Sequence, residues 1–164
     1  LDAGDILLTK TTPISPEEDA GQLYDRLARL GGEAASEALS RLRDGTAERT
    51  PQVYGPQYQY ASLLSRDMSP MDWQRPAGEL VNQVRGLIPW PCATTDVAGV
   101  RWKVFRAHPG GETQAAPGTI LSAGRDGIAV ACGGGSSLVI TELQADGGKR
   151  MAAADYLRGH PIKL

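Results

Sequence analysis

The sequence predicts two unlike parts in series: an α/β remnant with two amphipathic helices, then a mainly β domain forming a small antiparallel barrel with short helices. Three observations carry this reading. Between Ala20 and Leu42, apolar residues recur at three- and four-residue steps, the mark of helices with one buried stripe. After Val100 they fall into short apolar runs broken by glycine pairs and triplets, the mark of strands and turns. Glycines number 20 and prolines 11, too many for a helical bundle and suited to a turn-rich sheet.

Size and composition set outer bounds. A chain of 164 residues can bury one sizeable core or two small ones. Hydrophobic residues make up 41% and charged residues 22%, the balance of a folded domain and not of a disordered one. No apolar run approaches the roughly 20 residues that cross a bilayer, and no signal segment opens the chain, so a cytoplasmic setting without a membrane partner is expected. Cys92 and Cys132 lack the paired spacing of a zinc site or redox motif. They are expected to be free structural thiols, and no metal is expected. The first residue is Leu1, and 1–8 reads as the middle of a domain, so a chain truncated at its front is expected.

In the first part, the apolar run Ile6-Leu7-Leu8 precedes a capping-box pattern at Ser15 and Glu18, with Pro16 at the first helical position. Ala20, Leu23, Tyr24, Leu27 and Leu30 form the stripe of a helix that Gly31-Gly32 is expected to stop. A second helix is expected over 33–43, ended by Asp44-Gly45. Neither helix has a sheet of its own to cover, the situation of an α/β domain whose front is missing. This part is assigned to 1–45. Residues 46–60 turn to Thr, Pro, Gly, Gln and Tyr without a period and are assigned as an interdomain linker.

The second domain is assigned to 61–164. Pro76 opens a helix carrying Ala77, Leu80, Val81, Val84 and Leu87 on one face, and Pro89 closes it. Strands are expected over 100–107, 119–122, 128–132 and 138–143, then a short helix over 152–157. Trp73, Trp90 and Trp102 are expected to anchor packing and not to stack on bases.

Charge is unevenly spread. Residues 1–50 carry ten acids and six bases, whereas 101–164 carry five acids and eight bases, so an anionic partner would prefer the back half.

Several segments resemble one family, in its order. Leu1-Asp2-Ala3-Gly4-Asp5-Ile6 is similar to the L-D-T-G-D-[IM] segment of the methionyl-tRNA formyltransferases, with Ala3 in place of the usual threonine. Tyr24-Asp25-Arg26-Leu27-Ala28, Asp44-Gly45-Thr46-Ala47, Tyr60-Ala61, Met71-Asp72-Trp73 and the run Arg85-Gly86-Leu87-Ile88-Pro89-Trp90-Pro91 follow. Near the end, Ala116-Pro117-Gly118-Thr119-Ile120 and Gly148-Lys149-Arg150-Met151 match in turn.

The resemblance implies the end of a Rossmann-like formyltransferase domain followed by an OB-like, tRNA-binding domain. It implies transfer of a formyl group from 10-formyltetrahydrofolate to the amino group of methionine on initiator tRNA, with Asp2 as a catalytic residue. The family's asparagine, histidine and Ser-Leu-Leu-Pro folate loop are expected upstream of Leu1, so this chain alone is expected to be inactive. Phosphate contacts need cations spread over a broad face, and the candidates are Arg85, Arg101, Lys103, Arg106, Lys149 and Arg150. By two-residue alternation, Arg101 and Lys103 share a strand face, and in a regular strand Arg106 points to the other. Solvated surface charge is the plain alternative for Lys149 and Arg150, and carbonyl capping at a helix end for Arg85. Two other functions compete: a folate-dependent formyltransferase acting on an amino sugar, and a free-standing OB-like nucleic-acid-binding module without enzymatic activity.

Overall fold

Asp19 and Gln22 exchange the hydrogen bonds that begin the first helix: the Asp19 carboxylate accepts the Gln22 N–H at 2.9 Å, and the Gln22 side-chain oxygen accepts the Asp19 N–H at 3.1 Å. In the computed structural model, which describes residues 4–53, 55, 61–97 and 99–162, this capping box opens helix α1, Ala20–Arg43. At the expected box, the Ser15 N–H donates to Glu18 at 3.2 Å and shapes a turn ahead of the helix. Gly31-Gly32 does not break α1. Each glycine costs about 1 kcal/mol relative to alanine inside a helix, less than ending a helix and nucleating another two residues later. The stop comes at Asp44-Gly45, as the sequence predicts. Gly45 adopts φ +71°, and its N–H donates to the Leu42 carbonyl at 3.3 Å while that of Thr46 donates to Arg41 at 2.9 Å, which satisfies the last carbonyls of the helix.

The chain divides into two compact units, Leu1–Leu63 and Leu64–Leu164. In the first, Ile6 exchanges two backbone hydrogen bonds with Thr50, at 2.8 and 2.9 Å, and Lys10 meets Glu37 of α1 at 3.1 Å. One stripe of α1 is left bare. Tyr24, Leu27, Leu39 and Leu42 are all exposed, Tyr24 by 74% and Leu39 by 66%, in line with Ala28, Gly31 and Ala35. An amphipathic helix keeps such a stripe only against another surface, and no residue of α1 is buried.

The second unit is an antiparallel sheet with helices. Helix α2, Ala77–Gly86, follows a 3-10 turn at Arg66–Met68; then come strands β1 (Ala93–Val97), β2 (Val100–Glu112), β3 (Ile120–Gly124), β4 (Gly127–Cys132), β5 (Ser136–Ala145) and β6 (Met151–Ala152), and helix α3 (Ala153–Gly159). Strand order is β1-β2-β5-β4-β3, with β6 beside β5. Leu80 and Val84 of α2 press on Trp102 and Val104 of β2 and on Leu138, Ile140 and Leu143 of β5, all almost fully buried. Burial of each such side chain contributes roughly 1.5–3 kcal/mol.

The expected OB-like barrel gives way to an open sheet. Among the described residues no ladder joins β1 to β3. The outer edge of β1 is occupied instead by the segment after the 3-10 turn: Thr94 donates to Ser69 at 2.7 Å, and Met71 donates to Thr94 at 2.8 Å.

Strand β2 is longer than the sequence predicts, running through Pro109, Gly110 and Gly111. Beyond Val104 no described residue pairs with it on the β1 side, and a proline costs no ladder bond at such an edge. Gly110 serves close approach and not a turn: a Cβ there would lie 2.4 Å from the Ser137 hydroxyl. Three register shifts interrupt the β2–β5 pairing: Phe105 is skipped between Val104 and Arg106, Thr141 between Glu142 and Ile140, and Gly110 and Gly111 face the single residue Ser137 between Pro109 and Glu112. These bulges bend the two longest strands together.

Candidate nucleic-acid interface

The bulge at Phe105 decides which way the cations of β2 face. Trp102 and Val104 point into the core, so Arg101 and Lys103 lie outward. In a regular strand Arg106 would join Val104 inside. The extra residue turns it out instead, opposite Glu142 of β5, with its side chain 72% exposed. The regular strand on which Arg106 would take the opposite face is broken at Phe105, and Arg101, Lys103 and Arg106 share one outer face.

Carboxylates are set among these cations by strand register. Asp96 of β1 is the cross-strand partner of Arg101 and receives its Nε at 3.2 Å and Nη2 at 3.1 Å. Glu142 receives Arg150 at 2.7 and 2.8 Å and Arg106 at 3.3 Å. The Arg150 guanidinium also lies 4.3 Å from the centre of the Phe105 ring, a cation–π contact. The hydrogen bond from Arg150, with Arg106 adding to it, holds the Glu142 carboxyl below the ordinary carboxylate range. Lys103 is exposed, and among the described residues no carboxylate lies within ion-pair distance of it.

Lys103 and Arg101 also line a groove of about 600 Å³ along the outer edge of β1. Its other walls include Arg66, Met71 and Trp73. Trp73 is fixed by a hydrogen bond from its Nε1 to the Thr95 hydroxyl at 3.2 Å. Arg66 escaped the sequence reading because its 3-10 turn has no period to mark it. Asp96 could have been found, since a two-residue hairpin connection between Val97 and Val100 puts it opposite Arg101.

The other candidates lie apart. Arg85 lies in the last turn of α2, which packs on the core side of β2, and its Nε donates to Asn82 at 3.0 Å. Lys149 occupies the turn between β5 and β6, exposed, and lines a second groove near α3. Asp2 lies outside the described residues. Trp102 is a core residue set edge-to-face on Tyr156, whereas Trp90, expected to pack, is half exposed.

Cys92 and Cys132 are buried free thiols, and burial pushes both upward in pKa, away from the thiolate a nucleophile needs. Among the described residues no group of three His, Cys, Asp or Glu could hold a metal, and no helix is long and apolar enough to cross a membrane. Outward cations on a rigid strand can do one thing well, which is to meet an extended anion.

Comparison with known proteins brings this fold into context. The family model described as formyl transferase, C-terminal domain, matches residues 64–161. A methionyl-tRNA formyltransferase of Trichlorobacter lovleyi is 46% identical over 164 residues, covering 100% of this chain and 51% of that protein. The protein of the same name from Citrifermentans bemidjiense is 44% identical over 99% of this chain and 50% of its own length. The chain thus spans about half the length of the curated relatives it matches. Among solved structures, HypX from Aquifex aeolicus in complex with tetrahydrofolic acid is similar with a TM-score of 0.66 at 21% identity, over 95% of this chain and 28% of that one. An N-formyltransferase from Helicobacter canadensis, in complex with folinic acid and dTDP-3-aminofucose, gives 0.61 at 16% identity, over 85% of this chain and 51% of that one. At such identities the likeness is one of fold alone.

Proposed function

Because the chain belongs to the formyl transferase C-terminal domain family, we propose that it is part of a cytoplasmic methionyl-tRNA formyltransferase and that its second unit holds the tRNA. In that reaction the amino nitrogen of methionine on initiator tRNA bonds to the formyl carbon of 10-formyltetrahydrofolate as the carbon–N10 bond breaks. One proton leaves the amine and one reaches N10. The chemistry belongs to the longer protein, in which Asp2 orients a proton-carrying partner. This chain alone does not transfer the formyl group. Its own contribution is electrostatic: Arg101, Lys103 and Arg106 meet phosphates on the outer face of β2, Lys149 meets one beside α3, and Arg85 and Arg150 are committed to side-chain partners in the fold.

The observation that carries this reading is Lys103, exposed between two arginines on one strand face and, among the described residues, without a carboxylate partner. Amino-sugar substrates would have no use for a row of outward cations, and identities of 40–46% with proteins named for methionyl-tRNA favour the tRNA reading. The test is binding of initiator tRNA to this chain as a function of salt. Lys103→Ala is expected to weaken binding and to lower the slope of log affinity against log salt by roughly 0.7–0.9. An unchanged slope in a folded variant would overturn the assignment.

A further inference from the structure

The second groove, about 580 Å³, runs between the turn joining β5 to β6, the start of β2 and the face of α3. Its walls are mostly apolar, with Val100, Ala145, Met151 and Tyr156 among them. At one end His160 lies flat on Tyr156, with ring centres 4.5 Å apart and planes within 8°. Tyr156 is nearly buried and braced in turn by Trp102, edge-on at 5.3 Å. His160 is exposed, and its Nδ1 sits 3.3 Å from the Tyr156 carbonyl, which fixes the ring in place. Lys149 stands on the rim, exposed, and among the described residues no carboxylate lies within ion-pair distance of it. Of the two acidic residues lining the groove, Asp155 is paired with Arg158, while the backbone N–H of Asp146 donates to the Arg101 carbonyl at 2.9 Å.

We propose that this groove receives one unpaired nucleotide of the tRNA, its base stacked on the His160 ring and its phosphate on Lys149. The inference rests on the tRNA reading and extends it. An exposed flat ring above a braced aromatic is a stacking platform that every base can use, and a lysine beside it supplies the backbone contact. Val100 lines the groove while Arg101 lies on the face, and Lys149 lines it while Arg150 joins the face through Glu142. Neighbouring residues thus link the groove to the face, although alternation turns Val100 and Arg101 to opposite sides of β2. A double helix cannot use it, since its bases are already stacked on one another.

The test uses this chain, three probes (initiator tRNA, a short unpaired oligoribonucleotide, and a fully paired RNA duplex) and three variants (His160→Ala, His160→Phe and Lys149→Ala). His160→Ala is expected to weaken the oligonucleotide and tRNA by about 5-fold or more and to leave the duplex unchanged. His160→Phe, which keeps a ring over Tyr156, is expected to restore most of that loss. Near-ultraviolet circular dichroism checks that the Trp102–Tyr156 pair is undisturbed. Equal losses for duplex and unpaired RNA, no loss at all, or failure of the phenylalanine to rescue would overturn the proposal. If the oligonucleotide binds through His160 while tRNA binding is absent or indifferent to Lys103, the groove stands and the tRNA reading falls. If tRNA binding depends on Lys103 but not on His160, the reverse holds.

Discussion

Both Nε and Nη2 of Arg150 reach the carboxylate of Glu142, at 2.7 and 2.8 Å, and the same guanidinium covers the Phe105 ring. Neighbouring cations in one turn thus have different duties. Arg150→Ala is expected to lower stability by about 1 kcal/mol, the combined size of a half-exposed ion pair and a cation–π contact, with little change in the salt dependence of RNA binding. Lys149→Ala is expected to do the opposite, leaving the denaturation midpoint in place and lowering the salt slope by roughly 0.7–0.9. Urea unfolding and salt-dependent binding of each single variant separate the two.

Glu142 should leave a signature in the acid limb of stability. Its carboxyl is held below the ordinary 4.5, chiefly by the hydrogen bond from Arg150, so between the two values the unfolded chain binds the extra proton. The stabilisation is complete above pH 4.5 and is lost as pH falls through the lower, folded value. Glu142→Gln is expected to be less stable at neutral pH and to lose less on acidification below 4.5 than the parent. Parallel acid limbs for the two proteins would refute this.

Two glycines make opposite predictions. A Cβ on Gly133 would lie 1.7 Å from the Gln74 carbonyl oxygen, a backbone atom that cannot swing aside, and the Gly133 N–H donates to Trp73 and Arg75 at 2.8 and 3.0 Å. Gly133→Ala is expected to cost about 3 kcal/mol or more by forcing the entry to α2 away from β4. Gly31, mid-helix in α1, has nothing within 4 Å of such an atom. Gly31→Ala is expected to raise helicity and add up to about 1 kcal/mol. Circular dichroism during thermal unfolding reads both.

The bare stripe of α1 should betray itself in solution. Tyr24, Leu27, Leu39 and Leu42 form a contiguous apolar surface of the kind that binds hydrophobic dyes. Leu27→Glu and Leu39→Glu together are expected to reduce fluorescence of such a dye severalfold without loss of thermal stability, because neither side chain is buried. A destabilised double variant would mean that the stripe is covered within this chain.

Where local chemistry decides, the sequence is legible. The spacing of Ala77, Leu80 and Val84 predicts the buried face of α2, and Gly45 marks the end of α1 because only a left-handed residue closes a helix in that way. It misleads where one residue type serves two ends. Gly31-Gly32 reads as a stop yet continues a helix, and Gly110 reads as a turn yet admits Ser137. The β1 strand escaped notice because its alternation is only five residues long and abuts the prolines before it. The outer face was half legible. Alternation puts Arg101 beside Lys103, but the roles of Asp96 and Glu142 depend on which strand lies next to which, and Phe105 has no glycine or proline to announce its bulge.

The skipped residues Phe105 and Thr141 also fix where these strands can change length. A chain shortened by one at 105 would still send Val104 inward and Arg106 outward, since the skipped position contributes nothing to the alternation; it would lose only the ring beneath Arg150 and part of the bend. The same holds at 141, between Ile140 and Glu142. A gain or loss of one residue elsewhere in the paired stretch would turn every later side chain over, carrying charge into the core. Phe105 and Thr141 are therefore two places where this sheet can take up a change of length, and the spacing between Lys103 and Arg106 can drift by one without moving either cation off its face.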